Sequence, residues 1–536
     1  MDTVGYGRCR WEAGVAQAVG KYPVGRQVFE EIREGGFLYA DKTRYVYDLT
    51  HLGGKYVFLS RPRRFGKTLL VSTMGAYFQG RRDLFEGLAI EGLEGEWREH
   101  PVLRFDFSRF KDVTLSALIA KFDMLFSSLE EKWGVSEEGL SPGARLETLV
   151  RMAAEKTGES PVVLVDEYDA PLLGVMHDPE RLQEFREVMR EFYSPLKALE
   201  PQLRFVFLTG ITKFSQLSIF SELNNMQNVS MEPSFAGVCG ITAEELGRDL
   251  APDVELLAER MGMSERECRA ALKAKYDGYR FCEGSPDIYN PYSLVNALQY
   301  GRIGSYWFES GTPSSLVRML KTSGFDLSDL EGVEARAVTF DAPTEDTATP
   351  VPFMYQAGYL TIKSYDADYD AYMLGIPNEE VREGLYNALL PAYAPMGDVE
   401  RDAFAVGFAR AVREDDLERA LGLLRSFLAA VPYDLAPKDE KAFQSLLFVA
   451  FKVAGARVSS EVRTSSGRVD LVLESAQTVY VMELKYGGTA EEALAQIDSK
   501  GYAIPWEAGG KRVVKAGVSF DPERRTIDEG WVVREG

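Results

Sequence analysis

The stretch that decides the fold is Lys55-Tyr-Val-Phe-Leu-Ser60 followed by Arg61-Pro-Arg-Arg-Phe-Gly-Lys-Thr68. An apolar run of strand length leads into a loop rich in Arg, Gly and Pro. The loop opens onto a segment whose inward residues recur at helical spacing, namely Leu69, Leu70, Thr73, Met74, Tyr77 and Phe78. Because backbone N–H groups and the helix dipole at such a junction attract anions, the stretch predicts a phosphate-binding loop after a strand of a central parallel sheet.

The end of this loop fits the nucleotide-binding pattern G-x-x-x-x-G-K-[ST]. In that pattern a Lys reaches the outer phosphates and a hydroxyl ligates Mg²⁺, so the candidate nucleotide contacts are Arg64, Gly66, Lys67 and Thr68. Arg61 stands where the first glycine is expected, which leaves the geometry of the turn open. The alternative is a basic loop that merely precedes a helix, but the strand-to-helix context favours the nucleotide site.

Length and composition indicate several domains and exclude some classes of protein. A chain of 536 residues is expected to form about three to four domains. Its net charge of −21 argues against general coating of nucleic acid, so any such contact needs a local patch. The four cysteines form no metal-binding pair, and the three histidines lie near no nucleophile motif. Since no apolar run is long enough for a signal core or a membrane span, we expect a soluble cytoplasmic protein with no membrane partner.

A second apolar strand ends in two acids, within Pro161-Val-Val-Leu-Val-Asp-Glu-Tyr-Asp169. Four consecutive apolar residues are typical of a parallel strand buried on both faces, which places Asp166 and Glu167 at its carboxyl edge. We expect Asp166 to hold Mg²⁺ and Glu167 to be the catalytic residue that polarises the attacking water. An isolated Asp-Glu pair is more often the start of a solvated loop; downstream of a Gly-Lys-Thr loop it indicates an NTPase.

The next apolar strand, Leu203-Arg-Phe-Val-Phe-Leu-Thr209, ends in a polar residue that can contact a γ-phosphate. A simple strand-ending turn explains Thr209 equally well. The following segment 213–225 is unusually polar for a core helix. We expect it to contact either the nucleotide, with Lys213 as the cation, or a neighbouring subunit of a homo-oligomer.

Upstream of the loop, Phe37-Leu-Tyr-Ala-Asp-Lys-Thr43 is a short apolar stretch that ends at Asp41. Asp is a favoured helix N-cap, and apolar residues at helical spacing follow, so the pattern predicts that Asp41 caps a helix. The functional alternative places Asp41, Lys42 and Thr43 beside the nucleotide.

Four motifs together resemble the AAA-ATPase-like family of prokaryotic P-loop proteins: Tyr39-Ala-Asp-Lys-Thr43, Ser60-Arg-Pro-Arg-Arg-Phe-Gly-Lys-Thr68, Val165-Asp-Glu-Tyr-Asp169 and Leu208-Thr-Gly-Ile-Thr-Lys-Phe-Ser215. The resemblance continues through Ile288-Tyr-Asn-Pro-Tyr-Ser-Leu294, Tyr306-Trp-Phe-Glu-Ser-Gly-Thr-Pro313 and Gln356-Ala-Gly-Tyr-Leu360. It covers most of the first 400 residues. Family members also carry Arg in place of the first glycine of the loop. The resemblance implies a P-loop NTPase domain over 1–240 that binds and hydrolyses ATP, with ATP and Mg²⁺ as cofactors.

The middle of the chain has helical patterning and little sign of chemistry. Thr242 and Glu245 form a capping-box pattern at the start of 241–345, which we predict to be a helical lid or winged-helix-like subdomain. The span 346–430 contains a predicted hairpin, followed by helices, and is interpreted as a connector. The hairpin strands are predicted at Tyr359-Leu-Thr-Ile-Lys363 and Tyr369-Asp-Ala-Tyr-Met-Leu374.

From about residue 431 the pattern changes again. A helix from Glu440 precedes two strand-like segments, Gly467-Arg-Val-Asp-Leu-Val-Leu473 and Thr478-Val-Tyr-Val-Met-Glu-Leu-Lys485. Glu483 and Lys485 are two residues apart and share a strand face, and Asp470 on the preceding strand can lie beside Glu483. Such a set indicates a Mg²⁺ site that activates water against a phosphodiester. Gln496 on the next predicted helix can join it.

This constellation resembles the PD-(D/E)xK nuclease superfamily, with Val469 in place of the Pro before Asp470. The resemblance implies a restriction-endonuclease-like α/β domain over 431–536. In it, Glu440, Asp470 and Glu483 are the metal-binding acids and Lys485 is catalytic. The alternative is a salt-bridged hairpin without catalysis, because Glu-Leu-Lys is a frequent surface tripeptide. With 14 basic and 16 acidic residues, the domain has a net charge of −2, so it can approach DNA more easily than the rest of the chain.

The leading hypothesis is therefore an ATPase whose nucleotide cycle positions or licenses a metal-dependent nuclease acting on DNA. One rival is a regulatory NTP switch or scaffold that keeps the nuclease architecture but recognises a partner. Another is a nucleic-acid-binding module without turnover.

Overall fold

The computed structural model describes most of the chain. The described residues are 21–111, 114–134, 140–176, 178–213, 225–310, 314–342, 344, 349–393, 397–429, 439–453, 455, 457–528 and 530–535.

A five-stranded parallel sheet forms the centre of the N-terminal part. The strands are β1 Tyr56–Ser60, β2 Val102–Asp106, β3 Val162–Asp166, β4 Phe205–Gly210 and β5 Gln227–Asn228. Their order is β2-β3-β4-β1-β5, so β1, which leads into the phosphate loop, and β3, which ends in Asp166, lie on either side of β4. Strands β1, β3 and β4 are buried at every residue, as their continuous apolar runs predict.

The side chains of these strands pack alternately into two separate hydrophobic cores. Tyr56 and Phe58 pack into one, whereas Val57 and Leu59 pack into the other, because successive side chains point to opposite faces of the sheet. Helices cover both faces, as expected for a parallel sheet. They are Phe29–Glu34, Thr43–Thr50, Lys67–Phe78, Leu115–Trp133, Pro142–Thr157, Ala170–Leu173, Pro179–Tyr193 and Pro195–Ala198.

The middle region begins as the sequence predicts, with a helix capped by Thr242 and Glu245 in a complete capping box. Two short strands, β6 Ile241–Thr242 and β7 Ile288–Tyr289, pair antiparallel beside a helical core. The helices here are Ala243–Asp249, Ala251–Met261, Glu265–Tyr276, Pro291–Tyr300, Ser314–Ser323 and Ala337–Phe340.

The predicted hairpin is confirmed and has a third strand. The strands β8 Val333–Ala335, β9 Thr361–Asp366 and β10 Ala371–Gly375 pair antiparallel in the order β8-β10-β9. Because β8 precedes residue 345 and β10 follows it, this sheet joins the predicted lid to the predicted connector. The helices that follow are Val351–Ala357, Glu379–Tyr393, Asp398–Arg413 and Leu417–Ala429.

The C-terminal part has the order helix, three antiparallel strands, helix and parallel strand. Helix Glu440–Val453 precedes β11 Arg457–Thr464, β12 Gly467–Glu474 and β13 Thr478–Tyr486. Helix Ala490–Lys500 then crosses over to β14, which pairs parallel with β13. The remaining elements are helix Ile504–Glu507, β14 Arg512–Asp521, β15 Thr526–Ile527 and β16 Val532–Glu535.

One hydrophobic core runs from the phosphate loop to the C-terminal sheet. Leu70 of the helix after the loop and Phe448 of helix Glu440–Val453 belong to the same cluster of buried side chains. The rings of Tyr386, on helix Glu379–Tyr393, and Phe448 have centroids 6.0 Å apart. The described parts of the chain contain no helix that is long and apolar enough to cross a bilayer.

Candidate nucleotide and metal sites

The phosphate loop forms a tight turn between β1 and helix Lys67–Phe78. Gly66 caps the helix with φ 92°, and Arg64 has φ 66°, so both have left-handed backbone conformations. That region favours glycine, and a non-glycine residue there is costly and is found mainly at functional turns. The helix N-terminus therefore meets the loop as the sequence predicts, although Arg61 replaces the first glycine.

Arg61 is a structural anchor, which the sequence did not predict. Its side chain is 1% exposed, and burial lowers the pKa of its guanidinium. The guanidinium donates to the carbonyl oxygens of Ser60 (2.9 Å), Ser230 (2.7 Å) and Phe235 (3.0 Å). It also lies 4.2 Å from the centroid of the Phe281 ring. Arg61 thus ties the loop to two distant parts of the chain.

Lys67 is held inside the loop. Its Nζ donates to the carbonyl oxygens of Arg61 and Pro62, both at 2.9 Å, and its side chain is buried. Burial lowers the pKa of Lys67, and the negative charges of Glu167 and Asp166 oppose this shift. The ammonium is therefore fixed between the loop and the acids at the carboxyl edge of β3.

Asp166, the last residue of β3, is the side chain that most directly indicates a cation site. It is 1% exposed, and among the described residues neither carboxylate oxygen has a hydrogen bond of ordinary geometry. Burial raises its pKa, while the Thr68 hydroxyl and the Lys67 ammonium lower it. Because a buried carboxylate without partners is unfavourable, the position suits a cation. Thr68 and Asp166, hard oxygen ligands that meet here, fit Mg²⁺.

Glu167 follows in a left-handed conformation, with φ 50°. Its Oε2 lies 2.6 Å from the Nζ of Lys111, on the loop after β2. The predicted catalytic carboxylate is thus turned out of the strand and paired with a cation. No pattern in the sequence pointed to Lys111 as its partner.

The end of β4 is organised by Asp169, another residue that the sequence did not single out. Its Oδ2 accepts hydrogen bonds from the N–H groups of Ile211 (3.0 Å) and Thr212 (2.7 Å) and from the Thr212 hydroxyl (2.8 Å). A Cβ at Gly210 would lie 2.4 Å from the other oxygen of Asp169, so only glycine fits this close approach. The Thr209 hydroxyl donates to the carbonyl of Leu59 on β1 (2.7 Å) and is fully buried. Its predicted contact with a γ-phosphate stays a prediction.

Two predicted nucleotide contacts lie against the middle region. The Lys213 ammonium pairs with Asp341, and the Arg64 guanidinium donates to the Tyr306 carbonyl (2.5 Å) and lies 3.8 Å from the centroid of the Tyr292 ring. Direct contact of Lys213 or Arg64 with a nucleotide therefore stays a prediction. Of the predicted polar segment 213–225, residues 214–224 lie outside the described residues.

A cavity of about 120 Å³ adjoins the loop. Lys42 lies in its wall and forms a 2.6 Å ion pair with Glu245. The prediction that Asp41 is the helix N-cap is wrong by one residue, because Lys42 occupies that position. Asp41 instead accepts the N–H of Thr43, the first residue of the helix, at 2.8 Å. The cavity is mostly apolar and is lined by Pro23, Leu38, Tyr39, Ala40, Phe65, Gly66, Leu69, Leu70, Thr73, Val238, Cys239, Gly240, Ile241, Leu250, Pro291 and Val295.

In the C-terminal sheet the structure brings Asp470 and Glu483 together. The Asp470 carboxylate accepts the N–H of Leu484 on β13 (2.7 Å). Burial raises the pKa of Asp470 to about 6 and that of Glu483 to about 7; the negative charge of Asp470 also raises the pKa of Glu483. Glu483 is 2% exposed, and its Oε2 has no hydrogen-bond partner among the described residues. This pair also fits a divalent cation.

Lys485 and Gln496 complete the predicted group. The Lys485 Nζ lies 3.7 Å from Glu483 Oε1 and donates to Gln496 Oε1 at 2.8 Å. The Gln496 amide in turn donates to Glu483. The predicted convergence of an acid pair, a lysine and a glutamine is therefore present in the structure.

The first helix of this domain adds a residue that the sequence did not single out. Gln444 donates to Glu461 Oε1 (3.0 Å) and to the carbonyl of Asp470 (3.2 Å). The sequence could have indicated Gln444 through its position four residues after Glu440, because residues at this spacing share a helix face. Glu440 is exposed, and its charge raises the pKa of Asp470. Across the described ranges, no three His, Cys, Asp or Glu side chains are grouped closely enough to hold a metal. The ligand role of Glu440 therefore stays a prediction.

A phosphate loop at the carboxyl edge of a parallel sheet, facing the buried Asp166 and the part-exposed Glu167, defines a P-loop NTPase fold joined to a nuclease-like α/β domain. Comparison with known families agrees: a model described as predicted AAA-ATPase matches residues 23–220, and one for the PD-(D/E)XK nuclease superfamily matches 438–530. The chain belongs to the AAA-ATPase-like family and carries a C-terminal PD-(D/E)XK nuclease superfamily domain.

A relative matches nearly the whole chain. It is an uncharacterized protein in the vnfD 5′ region of Azotobacter chroococcum mcd 1, and it is 34% identical over 524 residues. The match covers 96% of this chain and 98% of the relative. A solved structure, titled Drosophila ORC bound to GC-rich DNA and Cdc6, is 12% identical, with a TM-score of 0.22 over 85% of this chain and 70% of that one. That TM-score is too low to support any conclusion.

Proposed function

We propose that this protein binds and hydrolyses ATP with Mg²⁺ and uses the nucleotide cycle to control a metal-dependent nuclease that acts on DNA. The observation that carries the proposal is Asp166. A fully buried carboxylate with two unpartnered oxygens lies beside Lys67 and Thr68, where a nucleotide-bound cation would be expected.

The residues around the loop have separate roles in binding phosphate, holding the cation and activating water. The N–H groups of the loop and Lys67 bind the outer phosphates, and Thr68 and Asp166 hold the cation. Mg²⁺, when bound, neutralises phosphate charge. Glu167 orients and polarises the attacking water once it is released from Lys111. The mostly apolar cavity beside Gly66 suits a nucleoside base.

In the C-terminal domain, Asp470 and Glu483 are the acid pair that holds a divalent cation. The cation supplies Lewis-acid polarisation of a phosphodiester. Lys485 is a cation that cannot ligate a metal, so its ammonium acts on the water or on the phosphate. Gln496 fixes the orientation of both Glu483 and Lys485 through its two hydrogen bonds.

A series of direct contacts supports coupling between the two sites. The Trp307 indole N–H donates to the carbonyl of Arg63 in the loop (3.3 Å). The backbone N–H groups of Tyr306 and Trp307 donate to Oε1 of the buried Glu380, at 2.6 and 3.0 Å. Glu380 lies on helix Glu379–Tyr393, which packs on the first helix of the nuclease-like domain. A change in the loop can therefore reach that helix.

A second function is favoured by one observation. Among the described residues, no three potential ligands are grouped closely enough to hold a metal, and Glu440 is exposed. This favours a regulatory NTPase switch or scaffold whose nuclease fold recognises a partner without cutting.

Purified full-length protein tests both functions. ATP turnover and cleavage of linear, circular and single-stranded DNA are measured with Mg²⁺ or Mn²⁺, with and without ATP. We expect metal-dependent cleavage that changes with ATP, loss of turnover in Lys67→Ala, and loss of cleavage alone in Asp470→Ala. Turnover without cleavage under every condition would favour the regulatory switch.

A further inference from the structure

The hairpin that carries Asp470 ends in two arginines that face each other. Strands β11 and β12 are joined by a two-residue turn, and Arg463 is the cross-strand partner of Arg468. Like charges directly opposite each other in an antiparallel pair are unfavourable. Both side chains are exposed, Arg468 to 62%. The fold therefore keeps two exposed cations together at one position.

The acids of the hairpin do not fully compensate this charge. Arg468 lies 3.3 Å from Glu461 Oε2. The Arg463 side chain has no hydrogen bond or ion pair with any other described residue. The Arg468 guanidinium is thus held beside Glu461, and the Arg463 guanidinium is free to bind an external anion.

The arginines are close to the candidate metal site. Arg468 precedes Asp470 by two residues, and Arg463 follows Glu461 by two, a rise of about 6.6 Å along a strand. A phosphodiester held at Asp470 and Glu483 would therefore have its neighbouring phosphates within reach of both guanidinium groups. The planar fork of Arg binds phosphate oxygens in a bidentate manner, which a flexible Lys does not.

The tip of the hairpin is fixed to the body of the domain. Gly467 has φ 147°, and a Cβ there would lie 2.6 Å from the hydroxyl of the buried Tyr502. Thr464 closes the turn, because its Oγ1 donates to the carbonyl of Gly467 (3.1 Å) and accepts the N–H of Ser466 (3.3 Å). The two arginines therefore extend from a rigid support, which lowers the entropy cost of binding.

We propose that Arg463 and Arg468 form a clamp on the phosphodiester backbone of a nucleic-acid strand and position that strand over Asp470 and Glu483. The inference rests on the proposed nuclease function and deepens it by naming residues that hold the substrate. The clamp binds the charged phosphate backbone rather than the bases, so its affinity does not depend on the nucleotide sequence.

Binding by the full-length protein tests the clamp. Fluorescence anisotropy of a labelled 20-nucleotide single strand and of the matching duplex is followed in EDTA, so that nothing is cut, at several salt concentrations. The variants are Arg463→Gln, Arg468→Gln and the double substitution. Arg457→Gln is the matched control, because Arg457 is an exposed arginine at the far end of the same strand, opposite Glu474.

We expect the double variant to bind about tenfold more weakly or worse, with the salt slope reduced by about 0.7 to 0.9 for each phosphate that the protein no longer neutralises. Arg457→Gln should bind as wild type. The thermal midpoint of the double variant should be unchanged or raised, because a repulsive pair is removed. An unchanged affinity and slope in the double variant, or no binding of either nucleic acid by wild type, overturns the clamp.

Cleavage measured separately with Mg²⁺ separates this inference from the proposed function. If wild type cuts and the double variant binds normally, the clamp is wrong and the nuclease stands. If binding depends on both arginines but wild type never cuts, the clamp stands on a recognition domain.

Discussion

The Lys111 ammonium lies 2.6 Å from Oε2 of Glu167, so the carboxylate proposed to activate water is neutralised by a part-exposed ion pair. The same carboxylate has a left-handed backbone conformation with φ 50°, which directs it away from the path of β3. A water-activating carboxylate must be free to accept a proton or a hydrogen bond from water. If Glu167 has this role, we expect the pair to restrain hydrolysis.

Lys111→Ala is expected to raise the rate of ATP hydrolysis. A part-exposed pair is worth up to about 1 kcal/mol, so the gain should not exceed about fivefold. Phosphate release at saturating ATP measures it, and Lys156→Ala, at an exposed lysine near the end of helix Pro142–Thr157, is the control. A fall in turnover would instead make Lys111 a support for Glu167.

Lys67→Ala and Glu167→Gln should separate binding from hydrolysis. Lys67 is proposed to contact phosphate, so its loss should abolish measurable ATP affinity. Glu167 is proposed to act on water, so Glu167→Gln should bind ATP within about twofold of wild type yet hydrolyse it about a hundredfold more slowly or worse. Titration of a fluorescent nucleotide and phosphate release distinguish the two effects. Unchanged turnover in Glu167→Gln would remove this residue from the catalytic role.

Much of this site could be predicted because it is local in sequence. The loop, Lys67, Asp166 and the pair Glu483 and Lys485 each belong to a short pattern whose geometry follows from a strand end or a helix start. The partners of Arg61 could not be predicted. Two of its three carbonyl partners, those of Ser230 and Phe235, lie about 170 residues downstream. A carbonyl leaves no trace in residue identity, so only the fold reveals these contacts.

In the C-terminal domain too, local patterns could be predicted from the sequence, whereas contacts between distant segments could not. The alternation of β12 and β13 indicated the positions of Asp470 and Glu483, whereas Gln444 contacts Glu461 only because helix Glu440–Val453 packs across the start of the hairpin. Thr209 shows the converse: its position at a strand end was predicted, but its hydroxyl bonds to the neighbouring strand. The sequence indicates where a side chain lies more readily than what it contacts.

The C-terminal acid pair should make metal binding depend on pH. Burial raises the pKa of Asp470 to about 6 and of Glu483 to about 7, above their usual values in an unfolded chain. In EDTA, the stability contributed by the protonated acids is therefore lost as the pH rises through about 6 to 7. The thermal midpoint should fall over that range, and Mg²⁺ should raise it more at pH 8 than at pH 5.5.

Scanning calorimetry of the full-length protein at both pH values, in EDTA and in Mg²⁺, measures these midpoints. Asp166 also has a raised pKa, so the double variant Asp470→Asn and Glu483→Gln is needed to isolate the C-terminal contribution. In that variant the thermal midpoint should depend less on pH than it does in wild type. An identical pH dependence in wild type and variant would contradict the assignment.

Trp307→Phe is expected to weaken communication between the two sites. The substitution keeps an aromatic ring but removes the indole N–H that donates to Arg63. ATP turnover should remain within about twofold, while the effect of ATP on DNA cleavage should fall. Trp506→Phe, in the short helix after Gly501, is a control that leaves the contact intact. Equal responses to ATP in both variants would exclude this contact as the coupling route.

Substitutions in the C-terminal site should separate the metal ligands from the catalytic lysine. Asp470→Ala and Glu483→Ala should each abolish metal-dependent cleavage with ATP hydrolysis largely intact, because each removes a proposed hard oxygen ligand. Lys485→Ala should still bind metal but lose cleavage, since a lysine acts only on water or phosphate. Both Lys485→Ala and Lys485→Met remove the ammonium that donates to Gln496, and Lys485→Met, which keeps most of the side-chain volume, should accompany the alanine variant to separate the loss of charge from the loss of volume.

Calorimetric titration of Mn²⁺ into each full-length variant, with ATP absent, measures metal binding, and thermal unfolding checks that each variant is folded. Since the proposed N-terminal site would also bind the ion, each variant is made in an Asp166→Asn background. Heat that disappears with Asp470→Ala and persists with Lys485→Met supports the assigned roles. Heat that is the same in all of them would remove the metal from the C-terminal domain and leave the sheet a recognition surface, whatever the DNA assays show.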